Sequence, residues 1–243
     1  ILARPKVVDP PGEARSDMKI LNELGKRLSP PEFWHEKERG FLDDVLKPSG
    51  LGYEEFSEKG YLKGPDVFGF YREKGFRTPT GKVELKLSKA QKWGLPDLPA
   101  FRGLPETDDP EYPLVLTSSK SRYFLHSSYR WVRRLREKRP DPRVEIHPET
   151  ASNHGIADGQ SVIIETRFGS VTQVAHVTDK VHPVVVNASH GWWFPEMDPS
   201  TLYGWEPSNF NMMTSVEKVG AEFGTPNLKG IGCRVRPKPE PGE

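Results

Sequence analysis

The 243-residue sequence contains a single cysteine, Cys233. One thiol excludes an internal disulfide, a four-thiolate zinc site and an iron–sulfur cluster held by this chain alone. Cys233 itself, near the end with no partner thiol, is expected to be a small buried residue. Neither sign of charge is in excess: 35 Lys and Arg stand against 34 Asp and Glu, a formal net charge of +1. That balance argues against a general nucleic-acid binder. No stretch approaches the roughly 20 consecutive apolar residues of a membrane-spanning helix, so no direct membrane insertion is expected. Ile1-Leu2-Ala3-Arg4-Pro5 lacks a signal-peptide core, and there is no initiator Met. An irregular stretch from Arg4 to Arg15 runs straight into a helix pattern, so the chain is expected to be a piece of something longer.

What the sequence does hold is turn chemistry. It has 24 Pro and 22 Gly, with 35% hydrophobic residues and a mean hydropathy of −0.66, low for a compact enzyme. Many reversals and long connections follow from that composition.

The basic residues are unevenly placed. Lys120, Arg122, Arg130, Arg133, Arg134, Arg136, Lys138, Arg139 and Arg143 lie within 24 residues that hold only Glu137 and Asp141 as acids. Such a stretch reads either as a solvated basic face or as a phosphate-binding edge.

Ser16-Asp17 followed by Met18, Ile20, Leu21, Leu24 and Leu28 predicts a capped amphipathic helix. Phe33, Trp34, Phe41, Leu42, Val45 and Leu46 predict a second helix or helix pair ending at Pro48-Ser49-Gly50. The turn-rich run from Gly75 to Lys82 precedes alternating Val83, Leu85 and Leu87, which predicts a strand. A connector with Pro96, Pro99, Pro105, Pro110 and Pro113 is the best boundary in the chain. The domains expected are 1–110, helical and irregular, and 111–243.

Beyond the connector the pattern turns to β. Short strands are expected at Leu114 to Thr117, Val144 to Ile146, Ser161 to Thr166, Ser170 to Thr178 and Val184 to Val186, with a short helix opening at Pro148 and a tight turn at Asp158-Gly159. Several short strands around turns favour a small barrel.

The ordered run Val144-Glu145-Ile146-His147-Pro148-Glu149-Thr150-Ala151, Gly155-Ile156-Ala157-Asp158-Gly159-Gln160, Val162 to Thr166 and Gly169-Ser170-Val171 resembles the C-terminal domain of dimethyl-sulfoxide-reductase-type molybdopterin oxidoreductases. The resemblance implies a mainly β domain with some helix, a double-psi β-barrel, preceded by a partial α/β segment from the middle of a parent enzyme. It implies that the domain binds and caps molybdopterin guanine dinucleotide, carrying Mo or W, and that any iron–sulfur cluster belongs upstream. The expected partners are the remaining N-terminal domains and an iron–sulfur electron-transfer subunit, with no nucleic acid. The parent is expected to be a cytoplasmic or exported prokaryotic oxidoreductase, and this piece alone inactive.

The resemblance also implies the cofactor-binding residues. Thr117, Ser118, Ser119, Lys120 and Arg122 follow the first strand, where hydroxyls, backbone N–H groups and a cation suit a phosphate. His126, Ser127 and Ser128 continue that loop, His126 with an imidazole able to donate or accept toward a pterin. His190, Gly191 and Trp192 form a later loop, and Asn209 and Asn211 would face the same way across Phe210 if they lie in a strand. No residue of this chain is expected to ligate the metal or act as a catalytic group. An ordinary polar loop, core aromatics and turn asparagines are the plain alternatives. A non-enzymatic double-psi barrel that recognises a protein is the rival function; it does not require the residues at 190–194 or 209–214.

Overall fold

The computed structural model describes residues 1–64, 66–87, 89–101, 109–217, 219–220 and 224–239. Pro105 of the connector lies outside them. The chain divides into two compact units, Ile1–Glu84 and Leu85–Glu243.

The first unit is helical, with α1 (Asp17–Leu28), α2 (Glu38–Leu46), α3 (Tyr53–Lys59) and α4 (Tyr71–Lys74). Ser16 caps α1, its hydroxyl accepting from the Lys19 N–H at 3.1 Å, as the sequence predicts. Gly25 is needed on that helix because a Cβ there would lie 2.3 Å from the Trp34 ring. Ile20, Leu21, Leu24 and Leu28 of α1 are exposed, and among the described residues of this unit the buried apolar side chains are Leu46 and Phe56. The strand expected at Val83, Leu85 and Leu87 is not formed. All three side chains are exposed, and alternation alone cannot hold a strand that has no ladder partner among the described residues.

The second unit is a closed six-strand barrel. Its strands are β1 (Leu114–Ser119), β2 (Arg143–Ile146), β3 (Ser161–Thr166), β4 (Gly169–Val177), β5 (Val185–Ser189) and β6 (Lys229–Pro237). They close in the order β1-β5-β2-β4-β3-β6. Two parallel pairs, β1 with β5 and β2 with β4, sit among antiparallel ones, which gives the double-psi arrangement. Helices α5 (Arg133–Lys138) and α6 (Pro148–Asn153) flank β2 in sequence.

Period-two alternation fills the interior. Leu114 and Leu116, Val144 and Ile146, Val162 and Ile164, Val171 and Ala175, Val186 and Ala188, and Ile231, Cys233 and Val235 form one core. Each fully buried Val, Leu or Ile there contributes about 1.5–3 kcal/mol. Cys233 is enclosed as expected, and burial pushes its thiol well above the ordinary range, so it stays protonated and inert.

Two local devices set the register. Gly230, at φ +71°, is the extra residue on β6 where β1–β6 pairing shifts between Leu116 and Thr117. At the other end the Asp158-Gly159 turn is pinned by the Gly159 N–H on the Ala175 carbonyl (2.9 Å) and by the Val177 N–H on the Asp158 carboxylate (2.8 Å). Gly159 has φ +80° with open space around it, so the constraint is conformational. Gly159→Val is expected to cost roughly 1–3 kcal/mol, read as a lower melting temperature. An unchanged melt would show that the turn does not need a left-handed residue.

Candidate functional site

The parallel pairing of β1 with β5 matches Ser119 with Ser189 in register, so the two strands end side by side. β2 runs antiparallel to β5 and starts at the same end, where the Arg143 N–H donates to Ser189 Oγ (3.1 Å) and Ser189 Oγ donates back to the Arg143 carbonyl (2.7 Å). Topology therefore brings the loops at residues 120–132 and 190–198 together with the first residue of β2.

A cleft of about 490 Å³ opens at this end, lined by Ser119, Lys120, Ser121, Arg122, Arg139, Arg143, Glu145, His176 and Ser189. Four cations converge on it. Among the described residues, none of the four has a carboxylate partner. The Arg139 Nε is buried with no hydrogen-bond partner. Burial first, then repulsion by Arg143, lowers the pKa of Arg139. Glu145 is the acid of the cleft, and it accepts from Asn187 Nδ2 at 2.6 Å. A crowded cationic surface with an orphaned guanidinium N–H is the donor set that an anionic ligand satisfies.

Beside the cleft stands an imidazole pair. His126 Nδ1 lies 3.0 Å from His190 Nε2, and His190 Nδ1 lies 2.9 Å from the Ser119 carbonyl. Behind them Arg130 is buried over the faces of Phe124 (4.0 Å to the centroid) and Trp192 (3.7 Å).

The residues expected from the sequence thus separate into groups. Ser119, Lys120 and Arg122 line the cleft. Thr117 and Ser118 are half-buried on β1 just before it, and Ser127 and Ser128 are exposed on the adjoining loop. His126, His190 and Gly191 meet: the Cβ position of Gly191, at φ +64°, lies 3.0 Å from the His126 backbone. Trp192 is fully buried, so it packs the loop from behind and presents no surface to a ligand. The shared facing expected of Asn209 and Asn211 is corrected. They do not lie in a strand; Asn209 is buried at the start of the 3-10 helix Phe210–Met213, and Asn211 is exposed within it. Asn209 spends both ends of its amide on backbone, donating to the Trp192 carbonyl (3.2 Å) and accepting from the Asn211 N–H (3.0 Å).

Arg139, Arg143, Ser121, Glu145, His176 and Ser189 complete the cleft and were not singled out from the sequence. The local excess of basic residues at 120–143 carries the signal for two of them, but it does not say which arginines turn inward.

The fold and cleft define a small barrel domain that offers a cationic crevice at the end where β1 and β5 finish. The family described as Molydopterin dinucleotide binding domain matches residues 114–232. The chain is 31% identical over 240 residues to acetylene hydratase of Syntrophotalea acetylenica, covering 93% of this chain and 33% of that protein. It is also 31% identical over 266 residues to the dimethyl sulfoxide/trimethylamine N-oxide reductase of Rhodobacter capsulatus, covering 96% of this chain and 32% of that one. The solved structure of acetylene hydratase from Pelobacter acetylenicus superimposes with a TM-score of 0.80 at 30% identity, over 96% of this chain and 34% of its own. Residues 114–232 thus belong to the dinucleotide-binding domain family, and the relatives matched over nearly the whole chain are molybdopterin enzymes of the dimethyl sulfoxide reductase family. The chain spans about a third of the length of these relatives.

Proposed function

We propose that the chain is the cofactor-capping part of a larger bis-molybdopterin guanine dinucleotide oxidoreductase, and that the cleft at Ser119–Arg143 holds a phosphate-bearing portion of that cofactor. The observation that carries the proposal is the convergence of Lys120, Arg122, Arg139 and Arg143 without a carboxylate partner, in a domain of the dinucleotide-binding family. Lys120 acts as a mobile point charge, and Arg139 and Arg143 as forked donors that match a diphosphate. Ser119 and Ser121 add hydroxyls. Thr117, Ser118, Ser127, Ser128, His126, His190 and Gly191 belong to the same end and shape the rim of the site.

When bound, the pterin supplies the metal-centred chemistry, whether with Mo or W, and this chain supplies binding and electrostatics. An iron–sulfur cluster and the remaining domains belong to other parts of the parent, with 111–243 as the cofactor domain and 1–110 as the segment before it. Oxidoreduction is the proposed reaction class by analogy with the reductase relatives, in a prokaryotic enzyme.

Guanosine diphosphate serves as a probe of the cleft. Titration by calorimetry is expected to show binding that weakens as salt is raised, because the contacts are charge-assisted and partly exposed. Lys120→Ala is expected to weaken it by roughly two- to fivefold, since one exposed ion pair is worth about 0–1 kcal/mol. No binding at low salt would remove the phosphate assignment and leave the fold and family standing.

A further inference from the structure

We infer that Arg130 is a positioning residue that locks the β1 and β5 loops together, so that His126 and His190 form one ordered hydrogen-bond relay presenting His126 Nε2 as an acceptor. The inference deepens the proposed cofactor site. It rests on that reading for its purpose, not for its geometry.

The order of the relay follows from what each atom can do. The Ser119 carbonyl accepts only, so His190 Nδ1, 2.9 Å away, must carry the proton. Neutral His190 then has its lone pair on Nε2. His126 Nδ1, 3.0 Å from that nitrogen, must therefore donate, and the lone pair of neutral His126 falls on Nε2. Both rings are Nδ1–H tautomers, and the relay ends in one acceptor on an exposed ring. A ligand N–H or O–H group is the partner this acceptor suits.

His190 needs little help to hold its place, because β1–β5 pairing already sets Ser119 beside Ser189. His126 is different. It sits at φ +52°, and Tyr129 three residues later at φ +69°, both unfavourable for side chains with a Cβ. Something must hold that loop against the next one. Arg130 Nη2 donates to the Gly191 carbonyl at 3.1 Å and to the His126 carbonyl at 3.4 Å, one from each loop. Trp193, two residues after Gly191, adds a second tie between the loops, its Nε1 donating to the Ser127 carbonyl at 2.8 Å.

Packing alone does not call for an arginine here. The side chain is 1% exposed, and its Nε and Nη1 have no hydrogen-bond partner. No carboxylate pairs with it among the described residues. Burial first, then repulsion by Arg136, pushes its pKa down to about 10. A methionine would fill the slot between Phe124 and Trp192 without that charge. What methionine lacks is a donor that reaches both carbonyls.

The test is nitrogen-15 NMR of histidine-labelled full chain, at a pH where both rings are neutral and with no cofactor present. In the parent, His126 and His190 are both expected as Nδ1–H tautomers with slowly exchanging ring protons. Arg130→Met and Arg130→Lys are expected to melt near the parent and to keep the His190 signature. Both are expected to lose that of His126, which drifts to the Nε2–H form, with the lysine variant retaining more of it. An Nε2–H tautomer at either ring in the parent overturns the relay. A His126 signature unchanged in either folded variant overturns the role of Arg130. Variants that melt far below the parent, or that lose the His190 signature too, make Arg130 a structural residue and overturn the proposal equally. None of these outcomes touches the phosphate reading, which the nucleotide titration decides separately.

Discussion

Asn209→Ala is expected to destabilise the barrel unit by about 2–4 kcal/mol, combining a lost N-cap with a buried carbonyl left short of its donor. At roughly 2–4 °C per kcal/mol for a domain of this size, the melting temperature falls by roughly 5–15 °C. The reason is local. Asn209 is 5% exposed, and its amide links the Trp192 carbonyl to the first turn of the 3-10 helix Phe210–Met213. Ser208 Oγ reaches the same carbonyl only at 3.4 Å, with a better acceptor at 2.7 Å on Gly204, so it does not replace the lost donor. The helix in turn packs on β4, where Gly169 leaves room for the Met212 carbonyl: a Cβ there would stand 2.4 Å from it. Asn211→Ala, at an exposed side chain, is expected to shift stability by less than about 0.5 kcal/mol. Thermal melts of the two variants side by side decide the matter. Equal losses would mean that Asn209 does not act as the cap.

Arg143→Ala is expected to weaken guanosine diphosphate binding by roughly ten- to hundredfold, corresponding to a charge-assisted hydrogen bond of about 1.5–3 kcal/mol. Arg139→Ala should fall in the same range. Both exceed Lys120→Ala because a forked donor loses less freedom on binding, and Arg139 already stands partly desolvated. The fold survives Arg143→Ala, since the ties of that residue to Ser189 run through its backbone. Calorimetry with a parallel melt separates the outcomes. Full affinity in a folded Arg143→Ala would place the anion elsewhere on the barrel.

The barrel was largely legible in the sequence because most of its strands alternate and its turns use Gly and Pro where backbone geometry demands them. Val162, Ile164 and Thr166 point inward while Ser161, Ile163 and Glu165 point out, and Asp158-Gly159 announces the reversal before them. β6 was not foreseen. Glycines at 230 and 232 break the apolar pattern, and Arg234 and Arg236 sit beside the buried Cys233 and Val235. Their outward charges are held by Glu165 on β3, with Arg234 Nη2 at 2.7 Å from its carboxylate, a match no local window contains. The strand expected at 83–87 failed for the opposite reason, a local pattern with no partner to satisfy it.

For the candidate site, chemistry was more legible than direction. The loop after β1 showed its hydroxyls and cations in order, and its neighbour across the barrel end showed His190 and Gly191. Which of nine basic residues would face inward depends on where β2 begins, and that depends on pairing with β4 and β5. The asparagines misled because alternation at three positions cannot tell a strand from a capped turn.

Barrel closure has a consequence for how this chain comes to be. β1 borders β5 on one side and β6 on the other, so neither partner of the first strand exists until most of the domain has been made. During synthesis Leu114 and Leu116 wait with unpaired edges, and the first strand cannot be sealed before Lys229–Pro237 has left the ribosome. Ordering through such distant pairings is slow, because long loops must close before any contact rewards them. The crevice beside Ser119, lined by the ends of β1 and β5, is therefore a late product of folding, since it takes shape only when residues 114–119 have found residues 185–189.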